Sequence, residues 1–174
     1  MKTITISALS VLVAFASPTA FSQSAAPNDA QIAGIVVTAN TVDIDVGKLA
    51  EGKAGSKEVK QFAQQMVTDH TGVNKQATAL VQKLKVTPED SATSKSLKDA
   101  GKANEDKLKS LKGKDFDKAY VDNEVTYHQA VIDAIDKTLI PSANNAELKD
   151  LLVKVRPAFV AHLEHAKQIQ SALK

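Results

Sequence analysis

The chain has 174 residues, 43% of them hydrophobic and 24% charged, with a formal charge of +2 and no cysteine. The lack of cysteine excludes a disulfide framework, a thiolate metal site, a cysteine nucleophile and the lipid-bearing cysteine of a bacterial lipoprotein. The near-neutral balance argues against nucleic acid as the main partner, because phosphate binding needs a concentrated basic face.

Met1-Lys2 makes a short positive start, Ile4 to Ala16 is apolar apart from Thr5, Ser7 and Ser10, and Ala20-Phe21-Ser22 has a small-x-small pattern. The apolar run is shorter than the ~20 residues a membrane-spanning helix needs. The expectation is a cleaved secretory signal over residues 1–22, with cuts after Ala16 or Ala26 as alternatives. A short tail over 23–27 and one helical domain over 28–174 follow, in the periplasm or outside the cell, with no membrane span and no lipid anchor.

Helical spacing runs through the rest. The first helix is predicted to open at Asn28, with Gln31 three residues later as in a capping box. Its apolar stripe is Ile32, Val36, Ala39, Asp43, Val46 and Ala50, with Gly52 and Gly55 closing it. Gly47 sits inside at about 1 kcal/mol against Ala, which predicts close approach of a neighbour. The second helix starts at Ser56, carries Val59, Phe62, Met66, His70, Val73 and Ala77 inward, and ends by Thr87-Pro88.

From Lys95 to Lys118 the chain holds eight lysines against Asp99, Glu105, Asp106, Asp115 and Asp117. A mixed run of this kind reads as a solvated face. The helix predicted over 94–111 has little to bury (Leu97, Ala100, Leu108, Leu111), so it belongs outside the core as a crossover, with Gly113 marking its end. The third long helix spans about Asp115 to Leu139, with Phe116, Tyr120, Glu124, His128 and Ile132 inward and Pro141 as its stop. The fourth starts at Asn144 with Glu147 as a capping partner. It carries Leu148, Leu152, Phe159, His162 and Ile169 inward, and Pro157 is expected to kink or divide it. The fold class is therefore all-α: a ferritin-like four-helix bundle with a long crossover containing an extra helix.

His70, His128 and His162 interrupt apolar stripes on three helices, and Asp43 does so on the fourth. Measured from the turn between the first two helices, Asp43 lies ~16 Å and His70 ~21 Å along the bundle at the helical rise. If the third long helix starts at that same end, His128 and His162 fall at ~21 and ~13 Å; the reverse arrangement gives ~16 and ~25 Å. Either way the four meet in the middle third.

The segments Asn40-Thr41-Val42-Asp43-Ile44-Asp45-Val46-Gly47-Lys48-Leu49-Ala50, Phe62-Ala63-Gln64-Gln65-Met66-Val67-Thr68-Asp69-His70 and Phe116-Asp117-Lys118-Ala119-Tyr120-Val121 carry a resemblance. With His128 and Pro157-Ala158-Phe159-Val160-Ala161-His162-Leu163 they resemble the family DUF4142 across nearly all of the chain after the signal. The resemblance implies a ferritin-like bundle in exported bacterial proteins and no established reaction. Family members often have Glu where Asp43 stands.

Two readings of the polar positions stand. One is a hydrogen-bonded structural core, pairing His70 with Asp43 and His162 with Glu124 or Tyr127, in an exported, non-enzymatic binding or envelope-stress protein. The alternative is a site for one transition-metal ion (Zn, Cu or Fe) on His70, His128 and His162, with Asp43 and Glu124 nearby, for storage, sequestration or redox. A di-iron centre of the Glu-x-x-His type is disfavoured, since Val67 and Val125 stand three residues before His70 and His128. His165 is expected to face solvent, Asp69 to flank the core and Met66 to fill it. No phosphate loop, nucleophile elbow or metalloprotease helix appears, and no motif names a protein partner.

Overall fold

The computed structural model describes residues 26–173. The signal predicted over 1–22 and residues 23–25 of the predicted tail lie outside them. The elements are α1 (Asp29–Lys53), α2 (Lys57–Leu84), α3 (Ala92–Ser110), α4 (Gly113–Ala134), a π-helical turn (Ile135–Leu139), α5 (Ile140–Ser142) and α6 (Ala146–Ala172). No strand occurs among the described residues.

α1 opens as its sequence predicts. Asn28 Oδ1 accepts from Gln31 N–H at 2.8 Å, and Gln31 Oε1 accepts from Asn28 N–H at 3.1 Å, so two N–H groups that the helix cannot pair are satisfied. The stripe Ile32, Val36, Ala39, Asp43, Val46, Ala50 is buried throughout. Gly47 brings α1 against α2: a Cβ built there would stand 2.9 Å from Val67 Cγ2 and 3.3 Å from the Ala63 carbonyl. Both chain directions follow from end contacts. The Asp117 carboxylate accepts N–H bonds from Gly55 and Ser56 at 2.9 and 2.8 Å, which ties the start of α4 to the α1–α2 turn. At the other end Asp29 accepts from the N–H groups of Asn144 and Asn145 at 2.9 and 3.0 Å. α4 therefore runs with α2 and α6 with α1. That selects the arrangement placing His128 and His162 at ~21 and ~13 Å from the turn.

α3 is the crossover. Glu89 N–H bonds to the Ala30 carbonyl at 3.0 Å at one end, and Lys53 Nζ reaches the Leu108 carbonyl at 3.3 Å at the other. The helix thus lies along the outside of α1, where Gly101 meets Val42 with no room for a Cβ. Leu108 is its one fully buried apolar side chain, in keeping with the thin stripe.

Several boundaries differ from expectation. Gly113 does not close α3; it is the first residue of α4, with φ +55°, a left-handed corner that suits glycine. Pro141 does not stop α4, because the π turn intervenes and the helical path continues to Ser142; Ile140 N–H bonds to the Ile135 carbonyl five residues back. α6 is capped by Asn145, not Asn144, through Leu148 N–H at 3.1 Å, while Glu147 pairs with Lys83 instead of capping. Pro157 does not divide α6. The carbonyl it leaves without a helical partner belongs to Val153, on the exposed side, where water can take the bond.

The apolar core comes in two halves. One, toward the α4–α6 connection, contains Ile32, Val36, Ile132, Leu152 and Phe159; the other, toward the α1–α2 turn, contains Val46, Phe62, Met66, Phe116 and Ile169. Between them lies a buried polar layer.

Candidate metal centre

That layer contains Asn40 and Asp43 from α1, His70 from α2, Glu124 and His128 from α4 and His162 from α6, all at most 2% exposed. Each sits on its helix's inward stripe, so burial of the neighbouring apolar residues carries the polar ones in with them. The imidazole rings pack together, with centroids 5.2 Å apart for His70 and His162, 5.4 Å for His128 and His162, and 5.6 Å for His70 and His128. Phe159 closes one side, 5.1 Å from the His70 ring and 6.0 Å from that of His128.

One nitrogen of each ring is committed to an oxygen outside the cluster. Asn40 Nδ2 donates to the Val36 carbonyl at 2.7 Å, which turns Oδ1 toward His70. His70 Nδ1–H therefore donates to that oxygen, also at 2.7 Å. His128 Nδ1–H donates to the Glu124 backbone carbonyl at 3.0 Å. His162 Nε2–H donates to the Asp69 carboxylate at 2.9 Å. These bonds fix the tautomers by elimination: in the neutral rings the bare lone pairs are on His70 Nε2, His128 Nε2 and His162 Nδ1. All three atoms are buried without a hydrogen bond. The three rings offer ligand atoms within 4.8 Å of one another.

The carboxylates stand beside them. Asp43 Oδ2 is 2.9 Å from His70 Nε2 and 3.5 Å from His128 Nε2, yet neither contact makes an aligned hydrogen bond. Glu124 Oε2 is 3.3 Å from His128 Nδ1, and Asp43, Glu124 and His128 form a second group of ligand atoms within 4.8 Å of one another. Burial works to raise the Asp43 carboxyl, but the surrounding imidazoles, His70 first, outweigh it and hold it below its ordinary value. Glu124 goes the other way: burial, and then the negative Asp43, push it up to about 7. Burial pulls His162 down to about 4 despite its bond to Asp69. Desolvation also opposes charge on His128, but Glu124 and Asp43 together raise it.

The five side chains singled out from sequence thus come together. His70 and Asp43 do meet, at 2.9 Å, but without the aligned hydrogen bond expected of the pair. His162 pairs with Asp69 rather than with Glu124 or Tyr127, because it lies toward the α2 side; the Tyr127 hydroxyl donates to the Ala39 carbonyl at 2.8 Å. Asp69 does flank the core, half-exposed at its rim. His165 is not solvent-facing but half-buried, edge-on to Phe62 at 5.2 Å between ring centroids. Met66 is a fully buried filler. Asn40 was missed. Its signal was its position three residues before Asp43 and four after Val36, on the same face.

Fold and polar layer together define a ferritin-like helical bundle with a crossover helix and a buried imidazole–carboxylate layer at mid-height. The chain belongs to the family DUF4142, a domain of unknown function, which matches it over residues 14–169. A solved structure described as CopM in the Cu(II)-bound form is similar, with a TM-score of 0.65 and 15% identity, covering 86% of this chain and 99% of that one. At that identity the likeness shows the fold. No curated protein matches the chain at a significant level. No helix among the described residues is long and apolar enough to cross a membrane.

Proposed function

We propose that this protein binds one transition-metal ion in the polar layer, through His70 Nε2, His128 Nε2 and His162 Nδ1, with the Asp43 carboxylate as fourth ligand. One observation carries the reading. Six atoms facing the centre (the three imidazole nitrogens, both Asp43 oxygens and Glu124 Oε2) are buried without hydrogen bonds. A buried polar group left unpaired costs about 1–3 kcal/mol, so a layer holding several of them favours a ligand that pairs them. A purely structural network has no reason to aim lone pairs and a carboxylate at one point. A cation does, and imidazole nitrogens with one carboxylate suit copper or zinc.

The outer bonds fit the same reading. Metal-ligating histidines hold their second nitrogen on a carbonyl or carboxylate, and here Asn40, the Glu124 carbonyl and Asp69 do so. Glu124, pushed up to about 7 by burial and Asp43, carries less than a full negative charge near neutral pH and so limits the charge in the layer. The Cu(II)-bound state of the similar structure makes copper the first ion to test. The reading is storage or sequestration of the ion. Export to the periplasm, on the signal read over residues 1–22, belongs to the same proposal.

The test is metal analysis of untagged mature protein after loading with copper, zinc or iron and removal of the excess. One equivalent of copper or zinc is expected, lost in His70→Ala. No stoichiometric metal after loading, or full retention in His70→Ala, would refute the assignment.

A further inference from the structure

An ion bound in this layer must cross the wall of the bundle. Asp43, His70, Glu124, His128 and His162 are each 2% exposed or less, so the layer is shut off from solvent. Two openings approach it. One is a cavity of about 250 Å³ between α1, α3, α4 and α6, lined almost wholly by apolar side chains such as Ile35, Leu97, Val131 and Leu152. It reaches Asn40 and Phe159 but none of the ligand side chains. The other is a surface groove of about 380 Å³ between α2 and α6, and both His70 and His162 line it.

The chemistry separates the two. Stripping water from a divalent cation in an apolar channel is prohibitive, whereas a carboxylate at a wet mouth replaces lost water with charge. The groove has that carboxylate, together with one cation, Lys154, whose Nζ is engaged by Gln76 Oε1 at 3.2 Å. Asp69 is 41% exposed, and its Oδ2 lies 2.9 Å from His162 Nε2, while Nδ1 of the same ring faces the layer. The groove is also kept open by its residues. Gly72 lies along it with no heavy atom within 4 Å of where a Cβ would stand, and Ala158 faces it from α6. A glycine inside α2 costs about 1 kcal/mol against Ala, and what it gives here is the absence of a side chain on this wall.

We infer that the α2–α6 groove is the entry route for the metal ion, with Asp69 as the outer residue at which a divalent cation from solution is first held and Gly72 leaving the passage clear. The inference rests on the metal reading above. Asp69 also positions the His162 ring, so its charge and its hydrogen bond have separate roles. Asn in its place keeps an acceptor for His162 Nε2–H and removes the charge.

The experiment is rapid mixing of untagged mature protein with Cu(II) in a weakly coordinating buffer, followed by ligand-field absorbance, with final stoichiometry measured on the same samples. Gly72→Leu puts a side chain into the groove from a position where a Cβ has open space and raises helix propensity, and circular dichroism checks that the fold is retained. Expected are one equivalent in the wild type and in Gly72→Leu, with loading slowed by roughly tenfold or more in Gly72→Leu. Asp69→Asn slows loading by roughly tenfold at low salt, with the difference shrinking as salt screens the charge. Wild-type rates in both variants at unchanged stoichiometry would overturn the route and leave the metal site standing. Loss of stoichiometry, not rate, in a folded Gly72→Leu would overturn it too, by placing that wall inside the site. No stoichiometric uptake by the wild type would remove both proposals together.

Discussion

Replacing Asn40 by Leu separates a ligand-positioning residue from a packing one. The two side chains have similar volume and Leu is the better helix former, so the change in shape and propensity is small. What disappears is the acceptor for His70 Nδ1–H at 2.7 Å and the donor to the Val36 carbonyl, itself already bonded within α1. Leaving Nδ1–H buried and unpaired costs about 1–3 kcal/mol. The ring has one escape, to move its proton to Nε2 and donate toward Asp43 Oδ2, 2.9 Å away. That escape recovers part of the loss in the metal-free protein, but it consumes the lone pair the metal needs. Urea denaturation of the metal-free variant is therefore expected to show a loss of about 1 kcal/mol, while chelator competition shows copper affinity weakened by about 10–100-fold. In free energy that is about 1.4–2.7 kcal/mol, more than the metal-free loss. Stability reduced with copper affinity unchanged within about twofold would refute the reasoning, since Asn40 would then only fill space.

Other outcomes follow from the same geometry. In the metal-free protein Glu124 is raised from an ordinary 4.5 to about 7, so its contribution is full below the lower value and lost as pH rises through the upper. His162, lowered from 6.5 to about 4, contributes stability that is present above the higher value and lost as pH falls toward the lower. Glu124→Gln removes only the first trend. Urea melts across pH are expected to show the variant more stable than wild type by on the order of 3 kcal/mol at neutral pH and equal to it near pH 4; a constant offset would contradict the assignment. Two glycines are expected to respond oppositely to Ala in thermal melts. At Gly34 a Cβ would lie 2.1 Å from the Glu89 carbonyl oxygen, so Gly34→Ala forces the loop off α1 and destabilises by about 1–3 kcal/mol. At Gly72 there is open space, so Gly72→Ala stabilises by up to about 1 kcal/mol; the same sign at both sites would show that close approach is not what sets Gly34. Leu108→Ala removes the one fully buried apolar side chain of α3 and is expected to cost about 2–5 kcal/mol, with less than that marking the crossover as loosely docked.

The elements and the meeting of His70, His128, His162, Asp43 and Glu124 at mid-bundle were legible because helical period and rise are fixed by backbone geometry. Asn28 with Gln31 could be read as a cap for the same reason: the partners lie within one turn. Partners across helices could not be read. His162 chose Asp69 over Glu124 or Tyr127 on the basis of interhelical rotation, which no stripe encodes. Asn40 was hidden because, read alone, it resembles an ordinary polar residue in a helix; its role appears only when His70 packs against it. The sequence-level rules for Pro141 and Gly113 failed for local reasons, a π turn ahead of the proline and a left-handed corner at the glycine.

On the proposed reading, His70 Nε2, His128 Nε2 and His162 Nδ1 are aimed at one ion. Crystals of the copper- or zinc-loaded protein, measured at the metal's absorption edge, test it most directly. One anomalous peak per chain is expected in the layer, bonded to His70 Nε2, His128 Nε2 and His162 Nδ1 at ~2.0–2.1 Å, with Asp43 beside it. A peak only at surface residues, or bonded through His70 Nδ1 with Asn40 displaced, would contradict it.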